Sequence, residues 1–82
     1  MNPPPFNKFK RLDVRPLIAR GEGPFPVVCA RVDALKPGEG LIVIAPFLPS
    51  PLVEKLTSEG FAAKVEHGTS GEWMVYFWRE PA

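Results

Sequence analysis

The chain has 82 residues, 45% of them hydrophobic and 23% charged, with Lys plus Arg 10 against Asp plus Glu 9 and a formal net charge of +1. That length holds one domain, and the composition is that of a globular chain rather than a disordered one. One cysteine excludes an internal disulfide, one cysteine with one histidine excludes a Cys/His zinc cluster, and the near-neutral charge argues against nucleic acid as a partner.

Residues 1–9 (MNPPPFNKF) form an arm ahead of the domain proper, residues 10–80. Its three prolines favour an extended segment, and it has neither the basic nor the apolar part of a secretory signal. Phe6 and Phe9 are apolar enough to fold back onto the domain. Arg11 to Arg15 alternates with period two, Leu12 and Val14 on one face, as in a half-buried strand that Pro16 stops. A loop runs through Arg20-Gly21-Glu22-Gly23. Pro24 opens a helix, where its missing N–H costs nothing. Phe25, Val28, Cys29, Val32 and Leu35 share one helical face, and Lys36-Pro37-Gly38 ends it.

Leu41 to Ala45 is wholly apolar and predicts a central strand buried on both faces. The apolar run out to Leu48 contains Pro46 and is too short to cross a bilayer, so a cytoplasmic location without membrane association is the expectation. Ser50 predicts an N-cap with Pro51 at the first helical position. Leu52, Val53 and Leu56 give the second helix its apolar stripe, and Gly60 closes it. Phe61 to Glu66 alternates like a charge-protected edge strand, Gly68-Thr69-Ser70-Gly71 is a hairpin turn, and Trp73 to Trp78 is a second central strand. The order β-α-β-α-β-β gives an α/β two-layer sandwich, with two helices on one face of a four-stranded mixed sheet.

Leu-Asp-Val-Arg-Pro-Leu (12–17), Asp-Ala-Leu-Lys-Pro-Gly-Glu (33–39), Pro-Ser-Pro-Leu (49–52) and Gly-Glu-Trp-Met-Val-Tyr-Phe (71–77) resemble a bacterial domain of unknown function. That domain belongs to the superfamily of TusA/SirA-like sulfur carriers. The resemblance spans residues 11–79 and implies strand order 1-2-4-3. The carriers work through a cysteine in Cys-Pro-x-Pro at the start of the first helix, where a helix N-terminus favours the thiolate. Here Gly23-Pro24-Phe25-Pro26 keeps both prolines and puts glycine in the cysteine's place. Relatives of unknown function carry a histidine ahead of Pro-x-Pro-Leu. Here Phe47 stands there.

No motif for a cofactor, a metal or a catalytic triad is present, and the chain is read as non-catalytic. Cys29 shares the apolar stripe of its helix, which reads as core; as a substitute thiol it is the one weak alternative for sulfur or redox transfer. His67 lies beside a turn with no partner set for catalysis. Arg15, Arg20, Gly23, Pro24 and Ser50 gather where both helices begin and are candidates for holding a small anion. In the last strand Met74, Tyr76 and Trp78 point away from the helices. With one alternate set of the neighbouring strand, Ile42 and Ile44 or else Leu41 and Val43, they predict an uncovered apolar face suited to a protein partner or self-association. The arm, or the stems of Arg11, Lys64 and Arg79, could cover that face instead.

Overall fold

The computed structural model describes residues 4–79; residues 1–3 of the arm and the domain end at residue 80 lie outside the described residues. One 3-10 turn, Phe6–Lys8, leads into β1, Phe9–Asp13. Then come α1 (Arg15–Ala19), α2 (Phe25–Asp33), β2 (Gly40–Ala45), α3 (Ser50–Ser58), β3 (Phe61–His67) and β4 (Trp73–Arg79). The sheet has the order β1-β2-β4-β3, with β1 parallel to β2 and the other pairs antiparallel. The expected α/β sandwich and strand order are both found.

Two local differences have clear causes. The described residues hold three α-helices, because the stretch after β1 is helical where the sequence suggests a loop. Pro16 stops the strand, but it also suits the first turn of α1, where a proline loses no hydrogen bond. The Arg15 N–H, free at that helix start, is taken by Asp13 Oδ1 at 3.0 Å. At the far end Gly21 adopts φ +81°. Gly21 N–H donates to the Ile18 carbonyl and Glu22 N–H to that of Leu17, each at 2.9 Å, the paired bonds of a Schellman termination. The second difference is that β1 begins at Phe9 and ends at Asp13. Phe9 therefore belongs to the sheet and not to the arm.

Leu12, Val14, Leu41, Val43, Ala45, Val75, Phe77 and Phe61 form the inner sheet face of the core, against Val28 and Val32 of α2 and Leu52 and Leu56 of α3. Leu17 and Ile18 of α1 pack on the same cluster, so all three helices lie on one side. Each fully buried aliphatic or aromatic side chain here contributes about 1.5–3 kcal/mol. Every residue of β2 is buried. No helix is long and apolar enough to cross a membrane among the described residues.

Gly40 opens β2 between Phe9 on one side and Trp78 on the other. A Cβ there would come 2.6 Å from Phe9 Cδ2 and 2.9 Å from the Phe77 carbonyl oxygen. The backbone oxygen cannot give way. Gly40→Ala is expected to destabilise the fold by about 2 kcal/mol, typical of overpacking, read as a lower urea midpoint at unchanged m-value. An unchanged midpoint would show that Phe9 does not need this gap.

Candidate functional site

Strand register decides which side chains meet on the helix-free face. Arg11 and Tyr76 flank Ile42, Asp13 and Met74 flank Ile44, and Phe9 and Trp78 flank Gly40. On the other side of β4, Lys64 lies opposite Tyr76 and Glu66 opposite Met74. The five side chains singled out from the sequence, Ile42, Ile44, Met74, Tyr76 and Trp78, are thus brought together.

They are less open than their sequence pattern suggests. Ile42 and Ile44 are only 2% and 4% exposed and Trp78 8%, while Met74 and Tyr76 are half-buried. For Tyr76 and Trp78 part of the cover comes from the early start of β1. The Phe9 ring stands edge-on to Tyr76 at 5.4 Å and to Trp78 at 6.2 Å between centroids, a favoured aromatic geometry. Phe9 covers this end of the face as a residue of β1 rather than of a folded-back arm, whereas Phe6 stays 66% exposed. Arg79 turns to the opposite face and sets its guanidinium 4.5 Å from the Phe61 ring centroid.

What remains accessible is a groove of about 210 Å³ lined by Pro4, Phe6, Phe9, Lys64, Glu66, Tyr76 and Trp78. Its walls are largely aromatic. At its rim Lys64 Nζ and Glu66 Oε2 lie 3.5 Å apart, so the two charges offset each other. Trp78 Nε1 is buried with no hydrogen-bond partner among the described residues. An unpaired N–H of this kind costs about 1–3 kcal/mol. Burial, and then a hydrogen bond with Glu66, push the Tyr76 phenol above its ordinary value of 10.0.

The opposite candidate, the sheet end where β1 and β2 run into α1 and α3, has its charges already committed. Arg15 Nε and Nη2 donate to the Asp13 carboxylate at 2.9 and 2.7 Å, and that hydrogen bonding holds the Asp13 carboxyl below its ordinary range. Arg20 Nε donates to Glu22 Oε2 at 2.9 Å. Gly23 is exposed with open space around it, Pro24 is the N-cap of α2, and Ser50 is the first residue of α3. Neither α2 nor α3 has a side-chain cap.

Cys29 is half-buried on α2, past the first turn and away from the free N–H groups that would favour a thiolate. His67 stacks on Trp73, its partner in register, with centroids 4.4 Å apart. Among the described residues no group of three His, Cys, Asp or Glu side chains could hold a metal ion. Pro4, Lys64 and Glu66 were not singled out by the sequence pattern as site residues. Even-numbered alternation in β3 carried the signal for the last two, once register set them beside Tyr76 and Met74.

Fold and site together define a small α/β domain with an aromatic groove on the uncovered side of its sheet. The chain belongs to the family described as an uncharacterized conserved protein (DUF2249), whose model matches residues 11–79. No curated protein and no solved structure matches it.

Tyr76 is the sole tyrosine, so absorbance at 295 nm reads its ionisation alone. The midpoint is expected above 10. Glu66→Gln should lower it while leaving it raised, because burial is the larger cause. Since the fold favours the neutral phenol, the stability it contributes is full below pH 10 and is lost as pH rises through the folded value. An ordinary midpoint would place the phenol in free solvent.

Proposed function

We propose that the chain is a small non-catalytic binding and interaction module that works through the helix-free face of its sheet. The observation that carries this reading is the aromatic groove over Tyr76 and Trp78, built from the N-terminal segment, β1, β3 and β4. Concave aromatic surface with a few polar groups at its rim is what binding sites are made of. The likeness to the sulfur carriers is read the same way: a bacterial, cytoplasmic member of that superfamily, with Gly23 where the carrier thiol stands. A small anion at Arg15, Arg20, Gly23, Pro24 and Ser50 is less well supported, because both guanidiniums already hold carboxylates.

Two measurements test the reading. Small aromatic probes titrated into labelled protein should perturb the resonances of Phe9, Tyr76 and Trp78; perturbation confined to the Arg15 and Ser50 end would move the function there. Deleting residues 1–8 removes the Pro4 and Phe6 wall but keeps Phe9. It should raise binding of an apolar dye, and unchanged binding would show that the wall covers nothing.

A second reading, a divergent sulfur or redox carrier using Cys29, draws on the half-exposure of that residue. A thiol reagent read by intact mass should label Cys29 more slowly in the native chain than after unfolding, with no sulfur retained from a persulfide donor. Fast native labelling with stable added sulfur would make this the leading reading.

A further inference from the structure

The helix-free groove combines three features that together specify a ligand. Its size comes first: about 210 Å³, somewhat larger than an engineered apolar cavity of about 150 Å³ that takes up benzene. One substituted ring fits. Its walls come second: Phe6, Phe9 and Tyr76 offer ring faces and edges, which suit a planar apolar group. Its polar groups come third. Lys64 and Glu66 already face each other at 3.5 Å, so an anionic ligand would meet Glu66 and a cationic one Lys64. Two polar groups remain: the Tyr76 phenol, which Glu66 already engages, and a donor, Trp78 Nε1, on a residue 8% exposed and without a partner among the described residues. Burying a donor unpaired is unfavourable, and an incoming acceptor would relieve it.

We propose that the groove takes a neutral aromatic ligand bearing one hydrogen-bond acceptor, of the aryl amide or aryl ketone class, whose carbonyl oxygen accepts from Trp78 Nε1–H. This rests on the reading of the helix-free face as the binding surface and adds the chemistry of what it binds. The N–H is shut off from solvent, so on this proposal the acceptor reaches it through local movement of the groove lining, of which Pro4 and Phe6 are the part outside the sheet. That wall is a single 3-10 turn, closed by Lys8 N–H to the Pro5 carbonyl at 2.9 Å. With Phe6 66% exposed, little apolar surface holds the wall down. The binding site is then a slot without net charge, whose one unengaged side-chain donor among the described residues is Trp78 Nε1–H.

N-methylbenzamide, ethylbenzene and benzoate titrated into the full chain test this, followed through the two indole N–H resonances, with Trp73→Phe assigning that of Trp78. N-methylbenzamide is expected to move the Trp78 N–H signal downfield, slow its exchange with water, and saturate at roughly tenfold lower concentration than the other two, one hydrogen bond's worth. Trp78→Phe, which keeps a ring and drops the donor, should erase that preference; should the variant not fold, the wild-type N–H shift still decides. Equal affinity for N-methylbenzamide and ethylbenzene with no N–H shift would overturn the acceptor assignment and leave the face as an apolar binding surface. Tighter binding of benzoate would overturn the neutral-ligand assignment. No response at Phe9, Tyr76 or Trp78 to any probe would overturn both this proposal and the reading of the face.

Discussion

The structure depends on β2 being buried on both of its faces, while the helices among the described residues lie on only one side. Leu41, Val43 and Ala45 meet the helices. Ile42 and Ile44, pointing the other way, are as deeply enclosed, yet no helix lies over them. Their neighbours there come from the flanking strands, Arg11 and Tyr76 beside Ile42 and Asp13 and Met74 beside Ile44, and an aromatic cluster closes the end of the face at Gly40. Phe9 leans inward across β2, Tyr76 and Trp78 lean toward it, and the rings meet edge to face. Gly40 is the gap that permits this, since any side chain there would occupy the place of the Phe9 ring. The thin second layer is thus made from the sheet's own side chains. Where it stops, between Phe6 and Lys64, the groove begins.

Much of this was legible in the sequence. The apolar run 41–45 specified a strand buried on both sides, and the terminal hairpin followed from its glycines and alternation. The split of β4 into Val75 and Phe77 inward and Met74, Tyr76 and Trp78 outward follows from period two alone. Helix α1 was harder to read. Pro16 is compatible both with ending a strand and with starting a helix, and five residues are too few for periodicity to choose. The Gly21 that terminates α1 with φ +81° looked like one loop glycine among two. The outward face was legible as a set of residues but not as a degree of exposure. That depended on where β1 starts, and a two-residue shift from Arg11 to Phe9 decides whether an aromatic ring lies over Gly40.

The two candidate regions differ in how their polar groups are satisfied. At the helix-start end the pairs are local: Asp13 with Arg15 and Arg20 with Glu22, each two residues apart. Such pairs form with little ordering of the chain and are worth little when exposed. They nevertheless occupy the very donors an anion would need. Beside the groove of the helix-free face the local pair is Lys64 with Glu66, while the buried indole N–H of Trp78 is left without a partner among the described residues. Local sequence can supply a carboxylate for an arginine; it supplied nothing for this N–H.

The groove also draws its walls from segments far apart in the chain, Pro4 to Phe9, Lys64 to Glu66 and Tyr76 to Trp78. Only the completed sheet brings them together, with β1 and β3 at opposite edges and β2 and β4 between them. A site of this origin exists only in the folded chain, and its shape is tied to the packing that makes the fold. Trp78 shows the link most directly. One side chain covers Gly40 across the β2–β4 pair, meets Phe9 at its edge, and lines the groove. Stability accounts for the ring, since a phenyl or branched aliphatic side chain could also cover the sheet there. It gives no account of the N–H, which raises the cost of burial without a partner. This donor, unpaired among the described residues, is what packing alone leaves unexplained, and it belongs to a side chain that lines the groove on the face the helices leave free.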